Sequence, residues 1–212
     1  MKKIIRPVPL DEEIKLNPTK TIMSKTDKKG IIEYANDYFM EISGYKEWEL
    51  MGQPHNVIRH PDMPKTIFKI LWDRINNGIN TYAFVKNLAK DGRYYWVIAY
   101  FLPVSKNGEI VNHYAKRKAV PDEIKEEITN LYNILLELEK SGGMEAAEAY
   151  LHSYLEDQGM SYDEFIFDTM RLSEKDLKKY MDAEISDESL GLGMTAEEAI
   201  KKSVKKKRRF FW

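Results

Sequence analysis

The stretch Gly52–Pro64, GQPHNVIRHPDMP, decides how the rest of the chain is read. It gathers His55, Arg59, His60, Asp62 and three prolines into a short segment. Proline fixes φ and removes a backbone donor, so regular helix or strand resumes only after Pro64. Amphipathic segments flank the stretch on both sides. A stiff, polar loop in that position is suited to holding a ligand.

Downstream, KTIFKILWDRINNG carries Ile67, Ile70, Leu71, Arg74 and Ile75 at helical intervals. Phe68 and Trp72, one turn apart, add a second apolar stripe. Such a helix has one face on a core and another on a second core or a ligand. Asn77-Gly78 stops it. From Asn80 the period becomes two. TYAFVKNL, YYWVIAYFLPV and Ile110–Lys118 read as three strands, joined by turns at Lys90–Arg93 and Lys106–Glu109. Upstream, Thr19–Thr26 and Ile31–Tyr34 form a predicted hairpin around the turn Asp27–Gly30. Asn36 stands at an N-cap position before a short helix through Phe39 and Ile42, which Gly44 ends. Lys46–Met51 suggests one more turn, anchored by Trp48 and Leu50. The order predicts an α+β fold: one five-stranded antiparallel sheet, helices on one face, and a pocket between them.

The 212 residues are 43% hydrophobic and 32% charged, with a net charge of −1. This fits a globular chain with a sizeable core and argues against a general polyanion binder. There is no cysteine, which excludes disulfides, thiolate metal sites and a thiol nucleophile. Pro7, Pro9 and the following acids interrupt any signal-peptide core, and no apolar run reaches the length of a membrane span. The chain therefore reads as cytoplasmic. No phosphate loop, HExxH or GxSxG is present, so it reads as a non-enzyme.

Beyond Pro121 the composition shifts. DEIKEEITNLYNILLELEK places Ile124, Ile128, Leu131, Leu135 and Leu138 on one face of a helix. Ser141-Gly142-Gly143 breaks it, and a second helix runs to Gly159. Residues 161–182 read as a third, with Ser161 and Glu164 as a capping box. The expected organisation is an N-terminal arm (1–18), a sensor domain (19–120), a helical extension for relay or dimerisation (121–181) and a flexible basic, aromatic tail (182–212). Lys205–Arg209 and Phe210–Trp212 would let that tail meet an anionic membrane surface. No specific nucleic acid is expected.

The runs YANDYF, ISGY, ELMGQPHNVIRHPDMPKTIFKILW and VKNLAKDGRYYWV resemble the PAS domain of bacterial aerotaxis and energy-taxis receptors. The resemblance covers roughly residues 19–120. It implies a PAS fold and a sensory protein that binds a prosthetic group, FAD foremost. It carries flavin-linked roles onto Asn36, Arg59, His60, Asp62, Trp72 and Asn87. It also implies a signalling partner such as a chemotaxis receptor or kinase, and a homodimer through flanking helices. One departure stands out. Flavin-binding relatives carry a tryptophan where this chain has Thr81 or Tyr82, so Tyr82 or Phe84 replaces it or the pocket holds another group. Heme b is the alternative, with His60, His113 or His55 as axial ligand. A cofactor-free interaction scaffold is the other.

Overall fold

The computed structural model describes residues 6–182. The basic tail, and with it the expected membrane contact, lies outside the described residues.

Strands β1 (Ile22–Asp27) and β2 (Ile32–Ala35) form the predicted hairpin. Helix α1 (Asp37–Ser43) starts where expected. Asn36 Oδ1 accepts from the Phe39 N–H at 3.0 Å and the Met23 N–H at 2.9 Å, and its Nδ2 donates to the Thr21 carbonyl at 2.8 Å. One amide thus caps the helix and welds it to β1. Helix α2 (Glu47–Leu50) and a 3-10 turn at His55–Ile58 follow. Helix α3 (Lys65–Asn76) begins directly after Pro64. Strands β3 (Thr81–Leu88), β4 (Tyr94–Lys106) and β5 (Glu109–Ala119) complete an antiparallel sheet of order β2-β1-β5-β4-β3.

Period-two alternation splits the sheet residues cleanly. Ser24, Thr26, Val85, Asn87, Phe101, His113, Ala115 and Arg117 face α3. Tyr82, Phe84, Trp96, Tyr100 and Lys118 face the other way. That second face is also covered, by the helical extension. Helix α4 (Asp122–Asp157) kinks at Gly143, where φ is 76° and ψ is −178°. Its Ile124, Ile128, Leu131, Tyr132 and Leu135 are buried in the same core as the sheet. The apolar stripe of α4 is therefore packed in the chain's own core. Tyr132 packs on Trp96 and donates its hydroxyl to the Phe84 carbonyl at 2.7 Å. Phe84 lies in β3, an edge strand, whose outward carbonyl needs such a partner.

The last helical segment corrects the sequence reading. It is two helices, α5 (Tyr162–Thr169) and α6 (Glu174–Asp182), not one. Arg171 has a φ of 52°, and Ser173 Oγ accepts from the Asp176 N–H at 3.2 Å to begin α6. Ser-x-x-Asp was a legible cap signal. The predicted Ser161–Glu164 capping box is present. Phe167 meets Tyr82, and the Tyr180 hydroxyl donates to the Ala119 carbonyl at 3.0 Å. On the other side of the sheet, α3 is fastened to the extension at three points. Thr66 bonds Glu139, Lys69 pairs with Glu148, and Arg74 pairs with Asp163.

The arm is described from Arg6. It runs beside the β3–β4 turn, with Ile14 N–H donating to the Tyr94 carbonyl at 2.7 Å. Gly92, at φ 96°, gives it room: a Cβ there would stand 2.5 Å from the Val8 carbonyl oxygen.

Candidate functional site

A cavity of about 330 Å³ opens between α3 and the sheet. This lies at the low end of the roughly 300–1,000 Å³ that small-molecule sites occupy. Phe68, Leu71, Trp72 and Ile75 of α3 form one wall, and Val85, Ala115 and Phe101 part of the other. Phe68 and Trp72 are the second stripe of α3, Leu71 and Ile75 belong to the first, and the sheet residues are its inward face. Gly30 lets the Trp72 indole lie close, since a Cβ there would meet its ring edge at 3.0 Å.

Polar groups interrupt this apolar slot at chosen points. Asn87, on β3, is 3% exposed, and its Nδ2 has no hydrogen-bond partner. His113, on β5, is 4% exposed, and neither ring nitrogen makes a hydrogen bond of normal geometry, although the Lys28 backbone lies near enough to favour the charged ring. Its ring stands edge-on to Trp72 at 5.5 Å, and burial lowers its pKa. Leaving such groups unsatisfied costs roughly 1–3 kcal/mol each, so native folds rarely keep them without a reason. Arg117 is buried beside the cavity, and burial pulls its pKa down to about 10, so it stays charged at neutral pH. Its Nη2 lies 3.0 Å from His55 Nε2. Burial first, and Arg117 second, hold the His55 pKa well below its ordinary value. His55 is therefore neutral, with Nε2 as acceptor and the proton on Nδ1.

The loop that opened the reading divides at this site. Arg59 lines the cavity, stacks over Phe68 at 4.1 Å and donates to the Met63 carbonyl at 2.8 Å. It does not pair with Asp62, which instead bonds Lys86 at 2.7 Å. His60 and Asp62 do not line the cavity. His60 Nδ1 accepts from the Asp62 N–H at 3.1 Å, and its ring packs edge-on to Tyr94. Burial is the main cause that lowers its pKa to about 4, with Lys86 adding to it. It fixes the loop rather than facing a ligand. Asn36 is likewise placed outside the cavity, its amide spent on the cap. Trp72 and Asn87 line the cavity. Tyr82 and Phe84 do not stand in for the missing tryptophan, because an even position on β3 points to the opposite face. Tyr82 stacks on Tyr100 there, at 4.4 Å.

Sequence reasoning missed Arg117, Ser24 and the part His55 plays with them. The signal for Arg117 was present in HYAKRKA. Arg117 falls in phase with His113, Ala115 and Ala119, the inward positions of β5.

Comparison with known proteins agrees with this architecture. Residues 32–114 match the PAS fold family. The aerotaxis receptor of Escherichia coli is 42% identical over 115 residues, which cover 54% of this chain and 23% of the receptor. The bacterioopsin transcriptional activator of Halobacterium salinarum is 27% identical over 122 residues, covering 54% of this chain and 18% of the activator. The chain thus spans about a fifth to a quarter of the length of these curated relatives. Among solved structures, the light state of the blue-light photoreceptor Aureochrome1 LOV superposes with a TM-score of 0.48 at 21% identity, covering 53% of this chain and 91% of that one. The family match over residues 32–114, set in an antiparallel sheet of order β2-β1-β5-β4-β3, makes that segment a PAS domain.

Proposed function

We propose that the domain holds FAD between α3 and the sheet and reports redox or energy status to a signalling partner, such as a chemotaxis receptor or kinase. The unpartnered Asn87 amide in an otherwise apolar slot carries this reading. A flavin ring is flat and apolar on its faces, and its pyrimidine edge alternates N–H with C=O. A side-chain amide offers the matching donor and acceptor. The cavity volume suits the ring system, not the whole dinucleotide. Arg59, Lys29 and Asn56 line the same cavity and would meet the phosphates and ribose, Arg59 with a fork suited to phosphate oxygens.

When bound, FAD supplies reversible electron transfer. The chain's residues do the rest. Asn87 orients the ring edge, and Trp72 and Leu71 shield its face from water. The α3 wall is tied to α4 and α5 through Glu139, Glu148 and Asp163. A change in how the ring is held would bias two positions of α3, and so of the extension. The similarity to an aerotaxis receptor supports an output of that class.

One observation favours a second reading. His113 lines the cavity without a hydrogen bond of normal geometry at either ring nitrogen, and an axial heme ligand needs one such free nitrogen. Of the three histidines considered, His55 is engaged with Arg117 and His60 lies outside. The absorption spectrum of the protein, purified after expression with ample flavin and heme, decides. Two flavin bands near the visible blue support the first reading and a Soret band the second. A spectrum with neither overturns both.

A further inference from the structure

Lys29, Arg59 and Arg117 line the cavity, and among the described residues no aspartate or glutamate does. Arg117 is the unusual member. It is 2% exposed. Nη1 donates to Ser24 Oγ at 2.9 Å and Nη2 to His55 Nε2 at 3.0 Å. Both acceptors are uncharged, and the two bonds occupy two of the five guanidinium N–H groups. The rings of Phe101 and Phe39 lie 5.7 and 6.0 Å from its Cζ. Among the described residues, no carboxylate forms an ion pair with it. A buried charge of this kind costs several kcal/mol unless a counter-charge offsets it. Aromatic faces return about 0.5–2 kcal/mol of that. The cavity that Arg117 borders is an open place for a counter-charge.

We propose that Arg117 is the charge-reading residue of this site: it favours the negatively charged form of the ring held there, and Ser24 and His55 keep its fork aimed. The inference rests on the flavin reading. An oxidised flavin ring is neutral. After gaining two electrons and one proton it is an anion at neutral pH. A site that binds the anion more tightly raises the midpoint potential, and a tenfold preference is worth 29.6 mV for a two-electron couple. Redox state is thereby converted into charge. The fork that answers it is bonded to β1 through Ser24 and to the Gly52–Pro64 loop through His55.

The test uses the full chain with Arg117→Met, which removes the charge at similar length, and Arg117→Lys, which keeps it. In flavin-loaded protein titrated with dithionite against a reference dye, Arg117→Met lowers the potential by about 30 mV or more, a tenfold loss of preference for the anion. Arg117→Lys stays within about half that shift. An unchanged potential in Arg117→Met that retains flavin overturns the inference and leaves the flavin reading standing. Flavin-free protein gives a second readout, the binding of 8-anilinonaphthalene-1-sulfonate against its uncharged parent, N-phenyl-1-naphthylamine. The wild type favours the sulfonate, and Arg117→Met loses that preference about tenfold, or about 1.4 kcal/mol. Equal preference in the two proteins overturns the inference. So does a wild type that binds the neutral probe more tightly, an outcome that needs no variant to fold. If the protein takes up no flavin, the function proposed above fails, and the probe pair alone decides the role of Arg117.

Discussion

Asn87→Leu should move stability and ligand binding in opposite directions. In the ligand-free fold, Asn87 is 3% exposed and its Nδ2 is unbonded. The wild type therefore carries a desolvation cost of roughly 1–3 kcal/mol at this one atom. Leucine has nearly the same shape and no polar atom, and its neighbours on that wall include Val85. Removing the cost should stabilise the ligand-free protein by about 1 kcal/mol or more. Bound ring loses the same amide bond, together with the acceptor beside it. Its affinity should fall about tenfold for each 1.4 kcal/mol lost. Urea unfolding of flavin-free protein measures the first effect, with an unchanged m-value as the control. Flavin absorbance per protein, after dialysis against excess FAD, measures the second. A variant that is less stable than wild type when empty, or that keeps full flavin occupancy, refutes the assignment of Asn87 as a pocket group held ready for a ligand.

His60→Asn preserves an acceptor for the Asp62 N–H and removes the titration. His60 has a folded-state pKa near 4 against an ordinary 6.5, so the unfolded chain takes the proton first as pH falls. Wild-type stability should decline between pH 6.5 and 4 by about 3 kcal/mol more than the variant's, and a difference that is flat with pH contradicts the burial argument. Tyr132→Phe leaves the Phe84 carbonyl at the β3 edge without its partner, and should cost about 1–3 kcal/mol in urea unfolding. A cost under about 0.5 kcal/mol would mean that α4 does not close this edge. Gly30→Ala forces a side chain onto a φ of 81° and against the Trp72 ring at 3.0 Å. It should cost about 1–2 kcal/mol and reduce flavin loading, and unchanged loading would show that the indole's position is not critical to the slot.

Elements whose causes are local could be read from the order of residues alone. The Asn36 cap, the stop at Gly78, the turns of the meander and the Ser161–Glu164 box each depend on residues within about four positions, so they are legible in one dimension. Helical spacing likewise gave α3 its second stripe with Trp72, whereas alternation left Asn87 open to either face and the family resemblance pointed it to the pocket. The break between α5 and α6 was legible too, in Ser173 and Asp176, but the helical pattern on either side masked it. Where the polar side chains of an irregular loop point depends instead on contacts made in three dimensions. Within Gly52–Pro64, His55 and Arg59 turn to the cavity while His60 and Asp62 turn to Lys86 and Tyr94, and no periodicity governs that choice. The same holds for the Arg117–Ser24 bond, which joins residues 93 positions apart. It also holds for the apolar face of α4, whose spacing fits a partner helix as well as its own sheet. Burial is set by what the folded chain brings alongside, and the pairing of β1 with β5 puts into the site a guanidinium that has no carboxylate partner among the described residues.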